Sequence, residues 1–242
     1  MEKHFSAPTT YFLQEGRENL DECLRVSFQA AKHQNINTIV IFTAKGDGIK
    51  KALVEYIAQA EYAHIRLVGV SFPAGKVFRG ADDQSFTVEI SPEEKLLFAE
   101  KQIPIVKAHF PFDGLRSAGN DPGPLARDLR LIADALNMFS GSMSLCVQSV
   151  TLACDAGHVQ IGENIIAMTA DTSILATATV TRNMLAHLVI REVLCKPVIM
   201  TIAHKESSRL TGVKESKVIE GKSGGSPTKK LTNGKRKKRT RE

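Results

Sequence analysis

Thr38-Ile39-Val40-Ile41-Phe42-Thr43-Ala44-Lys45-Gly46-Asp47-Gly48, residues 38–48, decides the architecture. The first five positions are β-branched or aromatic without a polar break, the pattern of a strand covered on both faces. Thr43 to Gly48 ends that run, and Ala52, Leu53, Tyr56 and Ile57 then recur at helical steps. A second buried-strand run, Ile65 to Val70, follows. Strand, helix and strand within about thirty residues predict a right-handed βαβ unit with parallel strands.

Upstream, Thr10 to Leu13 is β-like, and Glu15 to Asn19 reads as a turn into a helix. Asn19 is a good N-cap, and Glu22 stands where a carboxylate can reach back to the cap's N–H. Leu20, Cys23, Leu24, Phe28 and Ala31 share one helical face, and the helix is expected to run to about Gln34.

Downstream, Ser71 to Ile90 reads as a long polar loop. Ser91-Pro92-Glu93-Glu94 is a helix start with an N-cap serine, proline at N1 and a capping-box glutamate at N3. That helix is expected to end near Lys101, before a strand at 105–108. A Gly- and Pro-rich loop from Phe110 to Pro124 precedes a helix from Leu125 to Phe139. Met143 to Asp155 fits helical spacing better than alternation, and Gly157 is a natural stop. Asn164 to Thr169 and Leu175 to Val180 read as strands, and Leu188 to Cys195, closed by Pro197, as an edge strand. An exposed last strand would need covering, so self-association is expected. The alternation predicts an α/β fold: a three-layer α/β/α arrangement around a mostly parallel sheet.

The 242 residues can bury a sizeable core, and 43% hydrophobic composition excludes disorder throughout. The net charge of +6 divides unevenly. Residues 205–242 hold 13 Lys+Arg and 4 Asp+Glu, net +9, which leaves residues 1–204 with 19 basic and 22 acidic residues, net −3. The α/β domain is therefore placed at 1–204. The segment 205–242 has no hydrophobic periodicity and reads as a basic, disordered tail. Its clusters within 229–241 suit charge-driven contact with nucleic acid or another polyanion, the alternative being a solubilising extension.

No apolar run approaches the roughly 20 residues that span a bilayer, and the first residues lack the apolar core of a signal peptide. A soluble, unexported, cytoplasmic protein is expected. The four cysteines form no CxxC pair and read as reduced core thiols, and no metal site is expected.

In open parallel sheets, ligands bind beyond the carboxyl ends of the strands, which points to the loops after Phe42, Val70, Ala108 and Thr169. The first offers Thr43 with its hydroxyl, Lys45 as a point charge, and Gly46, Asp47 and Gly48 at a helix start, the features an anion needs. The plain alternative is a tight turn capped by Asp47. The loop is neither GxGxxG nor GxxxxGK[ST]. The second loop offers the hydroxyl of Ser71 beside Phe72, and the third brings Arg116, whose fork suits phosphate, although each is also explained as a surface or anchoring residue. No GxSxG elbow, HExxH pair or identifiable Cys–His arrangement is present, so no catalytic residue is assigned.

Tyr11-Phe12-x-x-x-Gly16-x-x-Asn19, Ile39-Val40-Ile41-Phe42-Thr43-x-x-Gly46-Asp47 and Lys51-Ala52-Leu53 resemble stand-alone prokaryotic proteins similar to the pyruvate kinase C-terminal domain. Leu152-Ala153-x-Asp155-Ala156-Gly157 and Arg191-Glu192-Val193-Leu194-Cys195-x-Pro197 look like that family's second half, so the likeness covers about 10–200. The resemblance implies a sheet of five or six strands and a phosphate-binding loop at 43–48. It also implies flavin mononucleotide (FMN), or another phosphorylated small molecule, as the ligand; with such a ligand on the 43–48 loop, Ser71 and Thr169 are expected to line the ring end. Where relatives carry a further hydroxyl in the loop and a Gly-Gly pair after the fifth strand, this chain has Ala44, Gly48 and Thr169-Ala170. Pyruvate kinase activity itself is not expected, because the chain has no room for the barrel domain.

Overall fold

The structure, a computed structural model, describes residues 4, 6–79, 84–113 and 123–198. The tail from 205 onward lies outside the described residues. Strand β1 (Thr10–Phe12) precedes helix α1 (Leu20–Gln34), and β2 (Thr38–Phe42) leads into α2 (Asp47–Ala52). The α2 helix runs on as one π turn, Leu53–Ile57, into β3 (Arg66–Ser71). Next come β4 (Val77–Arg79), β5 (Ser85–Thr87), α3 (Pro92–Glu100), β6 (Ile105–Lys107), α4 (Gly123–Asn137) and α5 (Met143–Asp155). The chain closes with β7 (Asn164–Met168), β8 (Ser173–Thr177), the short α6 (Met184–His187) and β9 (Val189–Pro197).

Seven strands form one sheet in the order β1-β9-β8-β7-β2-β3-β6, and β8 alone runs against the rest. The alternation of strand side chains feeds two cores. Ile39 and Ile41 of β2, with Ile166 and Met168 of β7, pack beneath α1, α2 and α3 through Phe28, Ile49 and Phe98. Val40, Val68, Val70, Ile165 and Ala167 point the other way, onto α4 and α5. Helices thus cover both faces of a mostly parallel sheet, an α/β fold in three layers.

α5 shows why its apolar spacing looked helical without a polar face. Eleven of its 13 residues are buried. Its polar side chains turn back on the helix: the Ser149 hydroxyl donates to Leu145 O at 2.7 Å and that of Thr151 to Gln148 O at 3.0 Å. Gly157 (φ +76°) closes it in the left-handed conformation, with the His158 N–H returning to Ala153 O.

Four expectations are corrected. Asn19 does not cap α1 through its side chain, because a 3-10 turn, Arg17–Asn19, runs directly into the helix. The Asn19 amide donates instead to Gln14 O, and Glu22 pairs with Arg25. Ser71 to Ile90 is not all loop: β4 and β5 pair as an antiparallel hairpin, with Phe78 stacked on Phe86. β8 begins at Ser173, two residues before the expected start, because a tight turn at 169–172 reverses the chain immediately after β7. β9 is not the sheet edge: Thr10, Tyr11 and Phe12 pair beside Cys195, Lys196 and Pro197. The edge is the three-residue β1, and the argument for self-association from an exposed last strand falls with it.

The capping box at α3 forms as the sequence predicts. The Ser91 hydroxyl accepts from the Glu94 N–H at 3.2 Å, and the Glu94 carboxylate accepts from the Ser91 N–H at 3.1 Å. No helix among the described residues is long and apolar enough to cross a membrane.

Candidate functional site

Neighbouring strands β2 and β7 send their following loops in different directions. Thr43 to Gly46 lead into α2 on one face, and Thr169 to Thr172 turn straight back into β8. Such a divergence opens a crevice at the carboxyl end of the sheet. A cavity of about 410 Å³ lies there. Thr43, Ala44, Lys45, Asp47 and Gly48 line one wall, and Thr169, Ala170 and Asp171 another. Leu20, Phe42, Val88 and Leu145 supply apolar surface, and Gly16, Arg17 and Ser142 complete the lining.

The 43–48 loop is held by its own bonds. The Thr43 N–H donates to Val70 O, and its hydroxyl accepts from the Gly46 N–H, both at 2.8 Å. One loop donor is thereby used on β3 and one inside the loop, leaving the N–H groups at the start of α2, which have no intrahelical acceptor. Gly46 is not a cavity residue. It sits at φ +97°, where an added Cβ would meet the Phe98 ring at 3.0 Å, so its role is to let the loop lie on α3. Asp47 lines the cavity but turns its carboxylate to the Arg17 guanidinium. Lys45 is exposed at the wall and forms no ion pair with a described residue.

The opposite wall is organised around Asp171, which is buried at 7% exposure. Its carboxylate accepts from the Gly16 N–H at 3.1 Å, the Thr169 hydroxyl at 3.2 Å and the Thr172 hydroxyl at 3.1 Å. Three donors satisfy the charge and pin the loop after β1 to the loop after β7. Thiols brace the same turn from both faces of the sheet: Cys23 on α1 donates to Thr169 O at 3.4 Å, and Cys146 on α5 to Thr172 O at 3.6 Å. The start of α5 offers no spare donor at two positions, since the Met143 N–H goes to Ser140 O and the Ser144 N–H to Asn137 Oδ1.

Of the sequence-predicted residues, Thr43, Lys45, Asp47, Gly48 and Thr169 meet at this cavity and Gly46 supports it from behind. Ser71 does not reach it. It is buried at the end of β3, paired in register with Lys107 of β6. Arg116 lies outside the described residues. Sequence reading missed Gly16, Arg17 and Asp171. The signal for the first two was present: a loop that follows a parallel strand lies at the binding end, and Thr10 to Phe12 is such a strand. Asp171 was one residue beyond the quoted Thr169-Ala170.

The lining is of mixed character. Arg17 and Lys45 bring positive charge, and Leu20, Phe42, Val88 and Leu145 offer surface to a flat apolar group. No group of three His, Cys, Asp or Glu side chains able to hold a metal occurs among the described residues. No known family profile matches the chain.

Proposed function

We propose that the chain binds a phosphate-bearing small molecule, FMN in particular, in the cavity between β2 and β7. The observation that carries this reading is the cavity's mixed lining. Arg17, Lys45 and the residues at 47–48 share it with Leu20, Phe42, Val88 and Leu145. A phosphate bound beside Arg17 would accept from the backbone N–H groups at the start of α2 and draw the Arg17 guanidinium away from Asp47, an exchange of one anion for another. The isoalloxazine would lie along the apolar wall with Phe42 beside it. The volume of about 410 Å³ falls within the range of small-ligand pockets. The likeness of 43–48 to the phosphate loop of pyruvate kinase C-terminal-like proteins supports the same assignment, including that finer placement of the fold.

The visible absorption spectrum and the mass of whatever copurifies with untagged protein test this directly. Flavin absorption with the mass of FMN is expected. A colourless protein whose melting temperature is unchanged by added FMN overturns the assignment. Arg17→Ala is expected to weaken FMN binding roughly tenfold, the loss of one charge-assisted phosphate contact, without loss of the folded state. Its side chain is 70% exposed, so the substitution leaves the core intact.

A further inference from the structure

We propose that Cys23 and Cys195 form a reversible disulfide, an oxidative modification site that joins α1 to β9. The two sulfurs lie 3.3 Å apart, with the Cys195 thiol directed at Cys23. The Cys23 thiol in turn donates to Thr169 O at 3.4 Å. A disulfide needs the sulfurs at about 2.05 Å, so they would have to close by little more than an ångström. The residues are 172 positions apart in sequence and come from two elements of the same core, which no spacing motif would reveal.

Both thiols are buried, so the oxidant must be small and the cover must open. Cys195 stands one strand in from the sheet edge, and its ladder partner is Thr10 of the three-residue edge strand β1. Short edge strands open at low free-energy cost, and hydrogen peroxide is close to water in size. Burial pushes the Cys23 thiol well above its ordinary value, and its bond with Cys195 adds to the shift. Attack is assigned to Cys195, which lies next to the edge strand, whereas the Cys23 thiol is engaged with Thr169 O. Its thiolate bonds to one peroxide oxygen, the O–O bond breaks, and the leaving hydroxide takes a proton to become water. The Cys23 sulfur then attacks the sulfenic sulfur, the S–O bond breaks, and a second water leaves with the Cys23 proton. Two thiols are oxidised and one peroxide is reduced to two waters.

Cys146 is excluded as the partner by topology. It reaches the 169–172 turn from α5, on the other side of the sheet, and its thiol is aimed at Thr172 O. Oxidation of the Cys23–Cys195 pair removes the thiol donor from Thr169 O, so the modification reports to one wall of the cavity. The disulfide itself does not depend on what the cavity binds.

The test treats the folded full-length protein with hydrogen peroxide, alkylates it after denaturation, and maps it by mass spectrometry. The expected product is about 2 Da lighter before alkylation, keeps Cys146 and Cys154 alkylatable, joins the Cys23 and Cys195 peptides, and reverts with dithiothreitol. Cys195→Ser is expected to abolish the cross-link; should that variant fail to fold, the wild-type peptide map decides alone. Four alkylatable cysteines after treatment, a cross-link through Cys146 or Cys154, or sulfinic or sulfonic acid at Cys23 or Cys195 in place of the cross-link overturns the proposal.

Discussion

The Thr43 hydroxyl illustrates how one atom can serve geometry before ligand. Its oxygen accepts from the Gly46 N–H in a buried setting and thereby shapes the loop that lines the cavity. Thr43→Val keeps the volume but orphans that N–H, and a loss of about 1–3 kcal/mol in urea unfolding is expected, with Thr43→Ser close to wild type. At α3, Ser91→Ala is expected to cost about 1 kcal/mol, measured the same way, because the Glu94 N–H loses its cap. The Glu94 carboxyl is held below its ordinary value, first by the hydrogen bond from Lys50. A lowered folded value means that its stabilising effect is complete above the ordinary carboxylate range and is lost as pH falls through the lowered value. Urea midpoints compared at neutral pH and at about pH 3 should therefore fall less in Glu94→Gln than in wild type.

Among the elements, α5 joins polar contacts within the helix to one that reaches a neighbouring turn. Gln148 donates to Ser144 O at 3.1 Å within the helix and accepts from the Phe112 N–H at 2.8 Å, tying the 3-10 turn Pro111–Asp113 to the α5 layer. Gln148→Leu leaves that N–H buried without a partner. A loss of about 1–3 kcal/mol is expected, with faster amide exchange at Phe112 as the local signature; unchanged exchange would contradict the contact. What could be read from sequence at this scale followed the range of the interactions. β2, α5 and the α3 capping box are specified within a few residues, by unbroken β-branched runs, helical spacing or a four-residue motif. The pairing of β1 with β9 joins positions about 185 apart, and no local pattern encodes it. The β4–β5 hairpin escaped because its strands are three residues each and its exposed Phe86 does not alternate against a core. Asn19 misled because a cap preference is local, whereas the 3-10 turn ahead of it is set by Gly16 bonding to Asp171 across the cavity. The same range limit hid half of the site: the 43–48 wall is contiguous in sequence, but Arg17 and Asp171 reach it only through the fold.

At the scale of the whole molecule, the charge separates into a mildly acidic body and a basic segment from 205 to 242, net −3 and +9. Polyanion binding, if the chain has it, belongs to the second. Deleting 205–242 is expected to abolish salt-dependent binding to nonspecific DNA while leaving the melting temperature of the domain unchanged. Equal DNA binding by the truncated chain would contradict that division. The ligand site proposed for the body would need no strong positive field, because Arg17, Lys45 and backbone N–H groups would act on it at close range. The central claim is that this end holds the phosphate of FMN while the apolar wall takes the ring. Parallel titrations of the protein with FMN and with riboflavin, which lacks the phosphate, test it most directly. The account predicts saturable binding of FMN and binding of riboflavin at least about tenfold weaker; equal affinities, or no binding of FMN, would contradict it.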